Sequence, residues 1–281
     1  MKNICSPCIS MLLHIGVTIN SVGQEAQVVS MPITTKSQEA LANFKQGLAL
    51  TDLGEGEKAR PFFQKAVALD STCVMAHMYL GFTDFSPKAF TDRLKQAKRH
   101  LAAAGEWEKL FYQILESFTT VDTSKRFAAA KQMVARFPNV ARSYIELGFA
   151  QEDARNFTAA RENHQKAIAL APQWVGGYQA LAYSLIEDDP KDVAMAEKHA
   201  QKVIQLAPDH AGPYVLLGNC YKAANSLDKA REAYSKALKM DSSFEEAYYV
   251  AGKRTIAKVK KTAKNCCTRF HCIAAPRACK R

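Results

Sequence analysis

A chain of 281 residues, 48% of them apolar, supports one sizeable folded region. The formal net charge of +11 suggests an anionic partner, but ten Lys or Arg and no acid fall between Lys253 and Arg281, leaving 28 basic against 27 acidic residues before them. Basicity belongs to the tail, so the overall charge gives no support for nucleic-acid binding by the body of the chain.

At the amino terminus, Lys2 precedes an apolar stretch from Ile9 to Val22, interrupted by His14 and Asn20, and Ser21-Val22-Gly23 stand before Gln24. The order resembles a secretory signal peptide covering residues 1–23, which predicts export to a periplasm or to the outside; a cytosolic leader is the alternative. No stretch reaches membrane-spanning length. Residues 24–36, small, polar and valine-rich, read as a linker.

Helical periodicity begins at Ser37, an N-cap with Ala40 behind it, and runs to Lys261. A first helix pair spans 40–73, with Gly47, Ala59, Phe63 and Ala66 at fixed spacing and Gly54-Glu55-Gly56 as the joint. A second pair, 74–105, opens with Tyr79-Leu80-Gly81 and continues after Ser86-Pro87 with Leu94, Ala97 and Leu101, lacking the expected alanine. The third, 106–140, keeps the period but little of the signature. Three clearer pairs follow at 141–174, 175–210 and 211–244. In these, Ala230 and Ala237 recur at Ala196 and Val203, and again at Ala160 and Ala167, the latter interval lengthened by two residues in the Glu187–Pro190 turn. Residues 245–261 repeat only a first helix, with Tyr248, Ala251 and Gly252 in register, as a capping helix would.

Local signatures of catalysis are lacking: no Gly-rich phosphate loop, His-Glu-x-x-His helix or Gly-x-Ser-x-Gly turn occurs. His77, His100, His164, His199 and His210 are spread over separate helices and joints, and Cys73 and Cys220 read as small buried residues. Cys5-x-x-Cys8 has redox spacing but lies in the leader. In the basic tail, 262–281, Cys266, Cys267, His271, Cys272 and Cys279 are soft ligands of the kind zinc takes, although adjacent Cys266-Cys267 is poor geometry for paired ligation. A disordered tail is the simpler reading. No cofactor and no small-molecule substrate are expected.

The residues Tyr144-x2-Leu147-Gly148, Tyr178-x2-Leu181-Ala182 and Tyr214-x2-Leu217-Gly218-x2-Tyr221 recur, followed by Ala160-x3-His164, Ala196-x3-Ala200 and Ala230-x3-Tyr234. Pro172 and Pro208 close two units. This pattern resembles the tetratricopeptide repeat family. Tyrosine replaces tryptophan in the first slot, and His164 occupies an aromatic slot. The resemblance implies an all-α, right-handed solenoid of stacked helix-turn-helix pairs with a C-terminal capping helix.

It also implies a protein or peptide partner lying along the first helices, whose positions beside the signature here are Leu41, Phe44, Leu48, Met75, Met78, Phe82, Arg142, Ile145, Phe149, Gln179, Tyr183, Val215, Asn219, Lys222, Tyr249 and Lys253. That groove is largely apolar and aromatic, unlike family members that clamp acidic chaperone tails. A non-enzymatic scaffold is therefore expected; the alternatives are an adaptor whose basic tail meets an anionic polymer or membrane surface, and metal binding by the tail cysteines.

Overall fold

The computed structural model describes residues 31–84, 86–188 and 190–242. Twelve helices follow one another among them: α1 (Gln38–Asp52), α2 (Gly56–Leu69), α3 (Val74–Thr83), α4 (Pro87–His100), α5 (Glu106–Thr120), α6 (Thr123–Arg136), α7 (Ala141–Asp153), α8 (Phe157–Leu170), α9 (Val175–Glu187), α10 (Val193–Leu206), α11 (Gly212–Ala223) and α12 (Leu227–Met240). Each packs on the helix before and after it, which makes six antiparallel pairs in one all-α solenoid. No described helix is long and apolar enough to cross a membrane.

Local chemistry starts and stops these helices. Ser37, Ser86, Asp122, Asn156 and Asp192 each accept a hydrogen bond from the amide three residues on, satisfying one of the orphan donors of a first turn. Four first helices give way to left-handed residues in the joint: Gly54, Val121, Arg155 and Asn225. Only one is glycine.

Pairing within the first, fourth and sixth units follows one rule. A small residue on the first helix receives a ring from the second: Gly47 meets Phe63, Gly148 meets His164 and Gly218 meets Tyr234, and a Cβ on these glycines would lie 2.7, 2.2 and 2.6 Å from the ring. The second unit breaks the rule. Ala97 fills the position that a ring should hold, and Phe90, two helical turns earlier on the same face, covers Gly81 instead, where a Cβ would lie 3.1 Å from its ring. A phenylalanine out of register thus restores the filling, and the unit remains a helix pair despite its faded signature.

Residues 31–36, which read as a linker, are tied down. Met31 is buried in the core formed by α1 to α7. Thr34 N–H donates to Glu108 Oε1 at 3.0 Å, while Glu108 Oε2 accepts Gly105 N–H at 2.7 Å at the start of α5. Asp70 accepts the Thr35 hydroxyl at 2.6 Å and the Lys36 amide at 2.9 Å through one oxygen, and Thr72 through the other. Composition missed this because the anchoring carboxylates lie in other units. The leader at 1–23, the cap at 245–261 and the tail at 262–281 fall outside the described residues.

Candidate partner-binding surface

The residues expected along the first helices divide by burial. Phe44, Met75, Met78, Arg142, Ile145, Val215 and Asn219 are buried in the chain's own packing. Leu41, Leu48, Phe82, Phe149, Gln179 and Tyr183 are half-buried, and Lys222 is exposed. Tyr249 and Lys253 lie outside the described residues, as do Cys266, Cys267, His271, Cys272 and Cys279.

The buried set is buried for identifiable reasons. Phe44, Phe63 and Tyr79 form a cluster of rings with centroids 5.3 to 5.5 Å apart, joining the first two units. Asn219 accepts the Tyr234 hydroxyl through Oδ1 and donates through Nδ2 to the Tyr183 hydroxyl at 3.4 Å, so its amide is spent on bracing α9, α11 and α12. The half-buried set has a regularity of its own: Leu48, Phe82, Phe149 and Tyr183 directly follow Gly47, Gly81, Gly148 and Ala182 in the first, second, fourth and fifth units, while buried Asn219 stands at that place in the sixth.

An unforeseen constellation lies at the amino ends of α7, α9 and α11. Arg142 Nη2 donates to both oxygens of Asp52, at 2.8 and 2.6 Å, from ninety residues away in sequence. Trp174 Nε1–H donates to Asp52 Oδ2 at 2.8 Å, and the Arg142 guanidinium lies 4.7 Å above the indole ring. Burial opposes the Arg142 charge, yet the paired Asp52 carboxylate wins and holds its pKa above the ordinary value. One turn further along α7, Glu146 is pushed up to about 7 by burial, with Arg142 and Arg126 acting in the opposite sense. Next to this, Glu55 Oε1 accepts the Ala211 amide at 2.9 Å, Glu55 Oε2 is 3.2 Å from His210 Nδ1, and Lys58 bridges Glu55 to Asp241. Arg142 alone of these was singled out by the sequence. Asp52, Glu55 and Trp174 carry no periodic signal, since their meeting depends on how the units coil in space.

Two of the histidines meet and the others lie apart. His77 bonds the Ser71 carbonyl at 2.9 Å and stacks on His100 with centroids 6.4 Å apart, whereas His164 sits 3.0 Å from Glu152 in the core, His199 packs on Tyr178, and His210 belongs to the Glu55 contact. Burial pushes the Cys73 and Cys220 thiols up to about 11 and about 12, which leaves them protonated and poor nucleophiles. Among the described residues, no group of three His, Cys, Asp or Glu could hold a metal ion.

Comparison with known proteins agrees with the architecture. Two tetratricopeptide-repeat family models match, over residues 40–73 and 189–253. Among solved structures, the crystal structure of the APC/C hetero-tetramer Cut9-Hcn1 is similar with a TM-score of 0.50 at 14% identity, covering 76% of this chain and 42% of that one. The chain thus spans less than half the length of that neighbour. The crystal structure of MamA protein aligns with a TM-score of 0.37 at 19% identity, over 73% of this chain and 93% of that one. No curated protein matches by sequence. The glycine–ring pairing, the six stacked helix pairs and the two matched segments agree: the chain contains tetratricopeptide repeats, matched over residues 40–73 and 189–253, within an all-α solenoid.

Proposed function

We propose that this protein is a non-enzymatic scaffold that binds a segment of a partner protein along its first helices. The observation that carries the reading is the recurring half-buried stripe of Leu48, Phe82, Phe149 and Tyr183, one residue in each of the first, second, fourth and fifth units. Side chains of this kind anchor a partner well, because a ring buries a large apolar area while few rotamers are lost. The buried members of the expected groove stiffen the frame beneath the stripe.

Packing between units is the competing account of the same residues, since the Phe82 and Phe111 rings meet at 6.5 Å across a unit boundary. Partner capture from the native host with wild type and with Phe149→Ala and Tyr183→Ala decides between them. Loss of specific partners at unchanged helicity is expected. An identical partner set would remove the stripe from the binding surface.

A further inference from the structure

In a stack of repeats each unit ordinarily touches only its neighbours. Here the joint of the first unit, Asp52-Leu53-Gly54-Glu55, lands on the fourth, fifth and sixth. The receiving residues occupy one position of the repeat: Arg142, Gly176 and Gly212 stand two residues before Tyr144, Tyr178 and Tyr214. Arg142 grips Asp52. Gly176 leaves room for the Trp174 indole, which a Cβ would approach to 2.4 Å, and that indole donates to Asp52. Gly212 admits a backbone: a Cβ there would lie 1.6 Å from the Leu53 carbonyl oxygen. Gly212 is not in the left-handed region, so its lack of a side chain serves the approach of another unit and not a turn of its own.

The chemistry of this contact differs from that between neighbouring units. Successive units share apolar cores, such as Leu181 and Leu185 against Leu216 and Cys220. The joint instead engages through two carboxylates, a guanidinium, an indole N–H, a backbone amide and the Lys58 bridge. Polar contacts between parts of one chain resemble transient interfaces.

We propose that the Asp52–Glu55 joint is a releasable latch that closes the chain on itself at the amino ends of α7, α9 and α11. Release uncovers Arg142, Trp174 and the Ala211 amide and lets the first unit swing away from the last three. Closed, the latch limits what can enter between the first helices; open, it admits a partner segment. The admission of a partner rests on the function proposed above, whereas the closing and opening do not.

The test uses the full chain and needs no partner. Amide exchange at Ala211, whose N–H is held by Glu55, reports release directly. Exchange roughly ten-fold faster than at interior amides of α12 is expected of a latch that opens without global unfolding. Two variants open it from opposite sides: Gly212→Ala, which inserts a methyl into the Leu53 carbonyl, and the double change Asp52→Asn with Glu55→Gln, which removes the charges. Both should enlarge the radius of gyration and accelerate Ala211 exchange further, with helix content retained. Should Gly212→Ala lose helicity, the double variant decides, because its changes lie at a joint. Ala211 exchanging as slowly as the α12 interior, or a double variant with unchanged radius and exchange, overturns the latch. Neither result touches the Phe149 and Tyr183 experiment, so failure of one reading is distinguishable from failure of the other.

Discussion

His164 stands to Gly148 as Tyr234 stands to Gly218 and Phe63 to Gly47: an imidazole fills the slot of a hydrocarbon ring, with Nε2 3.0 Å from Glu152 and its face edge-on to Phe149. The repeat therefore demands a flat side chain at that place more than an apolar one, even though only Nε2 of the ring finds a partner and Nδ1 is buried without one. A methyl at Gly148 would sit 2.2 Å from the ring. Alanine normally favours a helix over glycine by about 1 kcal/mol, whereas overpacking a core costs about 1–3 kcal/mol. The clash should win, and Gly148→Ala should lower the urea midpoint; a variant as stable as wild type would show that the ring can retreat.

Val121 is a β-branched residue at φ 56°, with 62% of its surface exposed, so it bears left-handed strain without evident packing in return. Val121→Gly should relieve about 1 kcal/mol of that strain against the entropy glycine adds to the unfolded chain. Val121→Asn tolerates the same backbone with less entropy to lose. Thermal melts should place Asn above Gly and both at or above wild type.

Glu146 supplies a pH dependence. Its folded pKa of about 7 exceeds the unfolded value of 4.5, so the folded state binds the proton more tightly. That contribution is complete below about pH 4.5 and is lost as pH rises through about 7. Replacing it by Gln removes the slope. Relative to wild type, Glu146→Gln should gain about 1–3 kcal/mol at pH 8 and nothing near pH 4.5, measured by denaturant titration at both. Arg142 and Arg126 retain Asp52 and Asp153 as partners in the variant, which keeps the gain from being cancelled by stranded cations.

Asp70 works in the opposite direction. Burial raises its pKa, but bonds from Thr35, Thr72 and the Lys36 and Thr72 amides overcome this and hold the carboxyl below the usual range. The stabilisation is present above the unfolded value of 3.8 and is lost as pH falls through the depressed folded one. Asp70→Asn should cost about 1–2 kcal/mol at pH 7, by loss of charge-assisted acceptors, and the difference should shrink only below about pH 4. A variant equally stable at pH 7 would mean that residues 31–36 do not depend on this anchor.

The helix pairs were legible because small residues recur at fixed spacing, and Ala59, Ala160, Ala196 and Ala230 are all fully buried. Less legible was which residues beside them face outward. In α3 every residue from Val74 to Gly81 is buried, so Met75 and Met78 follow the pattern of a groove and serve as core. The rescue of Ala97 by Phe90 was hidden because the compensating ring is out of register. The meeting of Asp52 with Arg142 and Trp174 was hidden for a different reason. Periodicity describes one unit and its neighbour, while that contact is set by the pitch accumulated over several units.

The separations of 122 residues between Trp174 and Asp52, and 156 between Ala211 and Glu55, bear on how the molecule is made. During synthesis the first pair of helices emerges before its partners exist, so Asp52 has no partner until Arg142 and Trp174 are made and Glu55 none until the sixth unit has left the ribosome. Repeats that could ripen one after another are thereby tied across the chain in two steps, and a chain cut short before Ala211 would keep the Asp52 grip and lack the Glu55 half of the closure.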